Sequence, residues 1–162
     1  MAKTPEIGAV PPDFTLPGIQ LTGTDVSKSE YTLSQHRGQP IVLAFYPGDN
    51  TTVCTRQLCS YTSGLESFTG FGADVWAISP QGLASHEQFA RKYRLAFPLL
   101  ADEGLAVSRR YGIALGGVGL RRAVFVIDAD GVLRWRHVTL VGLTFPSAST
   151  ISAQLAALSG AR

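Results

Sequence analysis

The feature that most limits how this chain can fold is the run Ile41-Val-Leu-Ala-Phe-Tyr46, bounded by Pro40 and Pro47. Six consecutive apolar residues show no alternation, so neither face of the segment is meant for water. A short run of this kind, rich in β-branched and aromatic residues and fenced by prolines, reads as a strand buried on both faces. Such a strand needs a covering layer on each side. That requirement points to an α/β sheet with helices above and below it.

The segments that follow supply those layers. Cys54, Leu58, Tyr61, Leu65 and Phe68 are spaced by four, three, four and three residues, which is one face of a helix of period 3.6. Asp74–Ser79 reads as the next strand. Ser85–Tyr93 reads as a second helix with Ser85 as N-cap, and about 104–111 as a short third one. Residues 123–128 and 132–138 flank Asp130-Gly131, a hairpin signal. Thr150–Leu158 suits a closing helix. The first 40 residues hold only strand-like pieces around Phe14–Leu16 and Tyr31–Leu33. The order β-α-β-α-α-β-β-α begins with a right-handed parallel crossover and ends in a hairpin. It predicts a mixed central sheet with helices on both faces, the pattern of a thioredoxin-like fold. With 162 residues, one domain covering 1–162 is expected.

Charge and composition narrow the function. Lys and Arg number 14 against 12 Asp and Glu, a net charge of +2, with no dense basic run, so nucleic-acid binding is not expected. No apolar segment is long enough to span a bilayer, and no signal-peptide pattern follows the N-terminal Met, so a cytoplasmic protein without a membrane partner is expected. In a reducing compartment two cysteines five apart are catalytic, metal-binding or inert rather than a structural bridge. No metal site is expected: structural zinc needs four ligands, and His36, His86 and His137 lie on unrelated segments, where surface or loop positions are expected. Gly116-Gly117-Val118-Gly119 precedes a strand instead of opening a helix, which excludes a nucleotide loop.

The chemistry is concentrated in Tyr46-Pro-Gly-Asp-Asn-Thr51-Thr-Val-Cys54-Thr-Arg-Gln-Leu-Cys59. This stretch runs from the carboxyl end of the buried strand into a helix, where open α/β sheets place their sites. Cys54 then falls in the first helical turn. Unpaired N–H groups and the positive end of the helix dipole favour an anion there, and the thiolate is the nucleophilic form of cysteine. The Thr51 hydroxyl can donate to the sulfur or to a bound oxygen. Pro47 forms an apolar wall, and a distant arginine would complete the site with a fixed positive fork. Simpler readings stand beside this one. Cys54 can be a core cysteine on the apolar stripe, Cys59 an inert helix cysteine, and Arg122 an arginine paired with an acidic neighbour.

Pro47-x-x-x-Thr51-x-x-Cys54 resembles the active-site motif of peroxiredoxins. Cys59 in the same helix, Phe97–Asp102 and Arg122–Gly131 resemble, in that order, the peroxiredoxin Q or bacterioferritin comigratory protein subfamily. The resemblance runs from about Gly8 to the end. It implies that Cys54 is the peroxidatic cysteine and Cys59 the resolving one, that Pro47, Thr51 and Arg122 line the substrate pocket, and that no cofactor is used. The implied reaction is reduction of hydrogen peroxide and organic hydroperoxides, with thioredoxin or a similar dithiol as reductant and a monomer or weak homodimer as the working form. Thr52 stands where many members have proline, and Gln57 where many have glutamate; neither is expected to touch the chemistry. Arg121 adjoins Arg122, so only register separates them. Two other classes share the fold: a disulfide reductase, which normally carries C-x-x-C, and a redox sensor without turnover. Residues five apart on a helix have Cα atoms roughly 8–9 Å apart, beyond the usual limit of about 7 Å for a disulfide. The implied bridge therefore requires the helix to unwind, which the Ser60–Gly64 stretch eases through low helix preference.

Overall fold

A computed structural model of the chain describes residues 3–115, 119–139 and 144–160. The Gly116–Val118 part of the glycine cluster lies outside the described residues. The doubly buried run forms β3 (Ile41–Phe45), and all five of its residues are buried. It lies inside a seven-stranded sheet, flanked by β4 (Asp74–Ser79) in parallel and by β8 (Ala123–Ile127) antiparallel. Beyond β4 come β5 (Leu99–Ala101), then β1 (Thr15–Thr22) and β2 (Asp25–Thr32); beyond β8 comes β9 (Leu133–Val138). The sheet is mixed, as expected of this thioredoxin-like fold. A separate two-stranded ribbon joins β6 (Ala114–Leu115) to β7 (Gly119–Leu120).

Side chains alternate across the central strands, and each set meets its own cover. Val42, Ala44, Val75, Ala77, Val124 and Val126 face one core with Leu58, Tyr61, Phe68, Phe89, Ile151 and Leu155. These come from α1 (Thr52–Ser63), α2 (Leu65–Gly70), α3 (Leu83–Tyr93) and α5 (Ala148–Gly160). Leu43, Phe45, Trp76, Ile78, Phe125 and Ile127 face the other core, covered by Phe14, Leu33 and residues in and after α4 (Ala106–Arg110), among them Val107, Tyr111 and Ile113. Among the described residues no helix is long and apolar enough to cross a membrane.

Four expectations need correction. The helical stripe from Cys54 to Phe68 belongs to two helices, divided at Gly64. A Cβ at Gly64 would lie 2.8 Å from the Cβ of Ala148, so the break lets α5 approach closely. The second helix starts at Leu83 with Gly82 as N-cap, and the Ser85 hydroxyl bonds elsewhere. The strand-like pieces near the N-terminus are one antiparallel hairpin, joined at Gly23-Thr24, where Gly23 has φ +65°. The segment Phe97–Asp102 contains β5, a strand absent from the expected order.

Candidate active site

The strand register assembles the site at one edge of the sheet. β3 and β8 run antiparallel with Phe45 opposite Ala123, so the next pair outward is Tyr46 and Arg122. Val124, two residues from Arg122, faces the α1 side, and alternation therefore sends Arg122 to that side and Arg121 away from it. The accessibilities agree, with Arg122 buried and Arg121 half-buried.

Cys54 is fully buried in the first turn of α1. Nη2 of Arg122 donates to its Sγ at 3.1 Å. Nη1 of the same guanidinium donates to Oε1 of Gln57, one turn further along the helix. Gln57 passes the bonding on: its Nε2 donates to the Tyr61 hydroxyl at 3.3 Å, which donates to the Pro146 carbonyl at 2.7 Å. Burial pushes the Tyr61 phenol well above its ordinary value, with Gln57 and Arg122 pulling slightly the other way, so it stays a neutral donor. The expectation that Gln57 stands apart from the chemistry is overturned, because its amide oxygen holds the arginine that meets the sulfur. The only signal in the sequence was its spacing, i+3 from Cys54, which puts it next to Cys54 on a helix.

Thr51 is the N-cap of α1. Its Oγ1 accepts from the Cys54 N–H at 3.3 Å and donates to the Gly48 carbonyl at 3.4 Å. The hydroxyl therefore does not donate to the sulfur here, since capping claims its lone pair and a turn carbonyl its proton. Thr51 is exposed and Pro47 half-buried, both in the turn that leads into the helix carrying Cys54. Cys59 lies in the same unbroken helix, half-buried, and both thiols are free. Burial pushes the Cys59 thiol up. The structure thus brings Cys54, Thr51 and Arg122 together, with Pro47 in the preceding turn, and leaves Cys59 further along α1.

His86, expected at a surface or loop position, is fully buried in α3 and bonded to Asp49. It sits on the apolar face of α3 with Phe89 and Ala90, where its carboxylate partner makes burial tolerable. His36 and His137 are half-buried.

Fold and site together define a thioredoxin-like α/β protein with a thiol at a strand-to-helix turn under an arginine. The AhpC/TSA family profile matches residues 7–136, and the chain belongs to that family. Curated relatives include a peroxiredoxin Q, chloroplastic, of Triticum aestivum, 41% identical over 130 residues, covering 79% of this chain and 57% of that protein. Another, from Sedum lineare, is 39% identical over 129 residues, covering 78% of this chain and 66% of the relative. The chain thus spans little more than half the length of the first of these. Among solved structures, the reduced 2-Cys peroxiredoxin of Plasmodium vivax superposes with a TM-score of 0.87 at 21% identity, covering 96% of this chain and 97% of that one. Mycobacterium tuberculosis AhpC gives 0.86 at 20% identity, covering 98% and 96%. These two likenesses concern the fold.

Proposed function

We propose that the protein is a thiol peroxidase that reduces hydrogen peroxide and organic hydroperoxides, with Cys54 as nucleophile and Cys59 as resolving thiol. The observation that carries this is the 3.1 Å contact between Arg122 Nη2 and Cys54 Sγ in the first turn of α1. A guanidinium at that distance stabilises the negative charge that develops on the departing oxygen. Peroxide enters past Pro47 and Thr51. The long bond from the Thr51 hydroxyl to Gly48 lets a closer peroxide oxygen compete for that proton.

The Cys54 thiolate attacks one peroxide oxygen. An S–O bond forms as the O–O bond breaks, sulfur gives up two electrons, and the leaving hydroxide or alkoxide takes a proton from solvent. The Cys54 sulfenic acid is then attacked by the Cys59 thiolate; an S–S bond forms and hydroxide leaves as water after protonation. Thioredoxin or a similar dithiol reduces the bridge by exchange and is itself oxidised. The test is peroxide consumption in the presence of a thioredoxin recycling system. Wild type is expected to turn over and Cys54→Ser to have no activity, because a neutral hydroxyl cannot replace a thiolate. Turnover by Cys54→Ser would sink the reading.

A further inference from the structure

The turn between Tyr46 and Thr51 carries the rim of the peroxide pocket, yet it has little backbone support of its own. Asn50 within it has φ +62°, in the left-handed region. The turn is held from outside mainly at Asp49, through its carboxylate and its backbone N–H. Oδ1 of Asp49 accepts from the Tyr46 hydroxyl at 2.7 Å. Its Oδ2 accepts from the Ser85 hydroxyl at 2.7 Å and lies 2.7 Å from Nδ1 of His86. The other ring nitrogen, Nε2, meets the Leu100 carbonyl at 3.0 Å. The Asp49 backbone N–H donates to the Gln81 side chain. The side chains of His86 and Asp49 are 0% and 1% exposed.

The Leu100 carbonyl can only accept, which fixes the donor on that side of the ring. Nε2 donates to the Leu100 carbonyl, and Nδ1 and Oδ2 share a hydrogen bond. Every oxygen of the carboxylate and both ring nitrogens are then satisfied, a condition for burying such a pair. Among the described residues, none of these atoms is hydrogen-bonded to the Cys54 sulfur, although the Tyr46 phenol lies close enough for the two to interact electrostatically. What they join are the end of β3, the first turn of α3, and β5, all to the residue two positions before Thr51.

We propose that Asp49 and His86 are positioning residues for the oxidation of Cys54. The buried pair ties the Pro47–Thr51 turn to α3 and β5, and so keeps Pro47, Thr51 and the start of α1 in register with Arg122 as peroxide enters. The proposal rests on the peroxidase reading above. It also sets a boundary: the turn stays anchored through Asp49 while the helix beyond Thr51 rearranges.

The experiment compares two reactions of Cys54 in the reduced full-length protein. One is oxidation by hydrogen peroxide, followed by stopped flow. The other is alkylation by iodoacetamide, followed on the Cys54 peptide by mass spectrometry, which needs the thiolate but no peroxide pocket. Asp49→Ala is expected to slow peroxide oxidation by about 10²-fold, the scale of an ångström-sized misplacement, and alkylation by less than about threefold. Asp49→Asn can accept from Tyr46 and donate to Nδ1 of His86, and is expected to recover most of the peroxide rate. Ser85→Ala removes one of the converging bonds with little change in volume. It is expected to lower the peroxide rate about fivefold with alkylation unchanged, and it decides the matter if Asp49→Ala does not fold. A peroxide rate in Asp49→Ala within about threefold of wild type, an equal loss in both reactions, or an Asp49→Asn as slow as Asp49→Ala would each overturn the proposal. A wild type that does not react with peroxide at Cys54 would instead overturn the peroxidase reading.

Discussion

Formation of a Cys54–Cys59 bridge should melt α1 from about Thr51 to Ser63, and the structure sets the scale of that opening. Leu58 and Tyr61 are fully buried on this helix, and Tyr61 also bonds to the Pro146 carbonyl. Returning two such side chains to water and losing that bond costs about 4–7 kcal/mol, at roughly 1.5–3 kcal/mol per side chain and ~1 kcal/mol for the bond. At 1.4 kcal/mol per decade, amides near Leu58 to Tyr61 should be protected about 10³–10⁵-fold in the reduced protein. After one equivalent of peroxide that protection should collapse, while amides of β3 and β4 keep theirs. Hydrogen exchange with mass spectrometry on both states measures it. Tyr61→Phe removes the bond to Pro146 and the acceptor for Gln57, a loss of about 1 kcal/mol, and should speed disulfide formation about fivefold if opening precedes attack. An oxidised protein with a Cys54–Cys59 bridge and an undiminished pattern of protection would refute this reasoning. So would an intermolecular linkage in its place.

Arg122→Ala should slow Cys54 oxidation by about 10²-fold, as when an oxyanion donor is removed, and Arg121→Ala should have little effect; stopped-flow rates in the reverse order would refute the strand register as the selector. In Cys54→Ser, alkylation of Cys59 should still be rising as pH passes 9.0, the ordinary value for the thiol, because burial disfavours its charged form. A midpoint at or below that value would contradict the burial argument. Burial pushes the Asp128 carboxyl up, but the Arg134 hydrogen bond and the Val132 and Asp130 N–H groups outweigh it and leave the carboxyl below its ordinary value. A folded value below the unfolded one means that the stabilisation is fully present above pH 3.8 and is lost as pH falls through the folded value. Asp128→Ala should therefore lower stability by about 1 kcal/mol at neutral pH, read by urea unfolding, and the difference from wild type should vanish in acid.

Much of this arrangement was legible in the residues because burial and capping leave local marks. The unbroken apolar run announced β3, and Cys54 at its helical exit announced the site. Other parts depended on contacts that no local pattern carries. β2, Asp-Val-Ser-Lys-Ser-Glu-Tyr-Thr, is an edge strand without a continuous apolar face, so its hydrophobicity says little; the two-residue Gly23-Thr24 link was the better signal. Arg121 and Arg122 could not be told apart because β8 is buried on both faces, which erases the period-two pattern that would have assigned them. Register against β3 supplies the missing parity. His86 read as a surface or loop residue, and Gln57 as standing apart from the chemistry, because their partners, Asp49 and Arg122, lie 37 and 65 positions away in sequence.

The N-terminal segment lies along β9, the outer strand beyond β8. The Gly8 N–H donates to the Leu133 carbonyl at 2.8 Å, and the Leu133 N–H donates to the Ala9 carbonyl at 2.9 Å. Arg136 holds the same segment through the carbonyls of Thr4 and Pro5. An open sheet edge is a template on which foreign strands can grow, and here its first rung is already occupied by the chain itself. An incoming strand must evict residues 4–9 before it can pair along the start of β9. The segment thus covers the start of this edge, at the opposite end of the sheet from the polar hairpin strand β2.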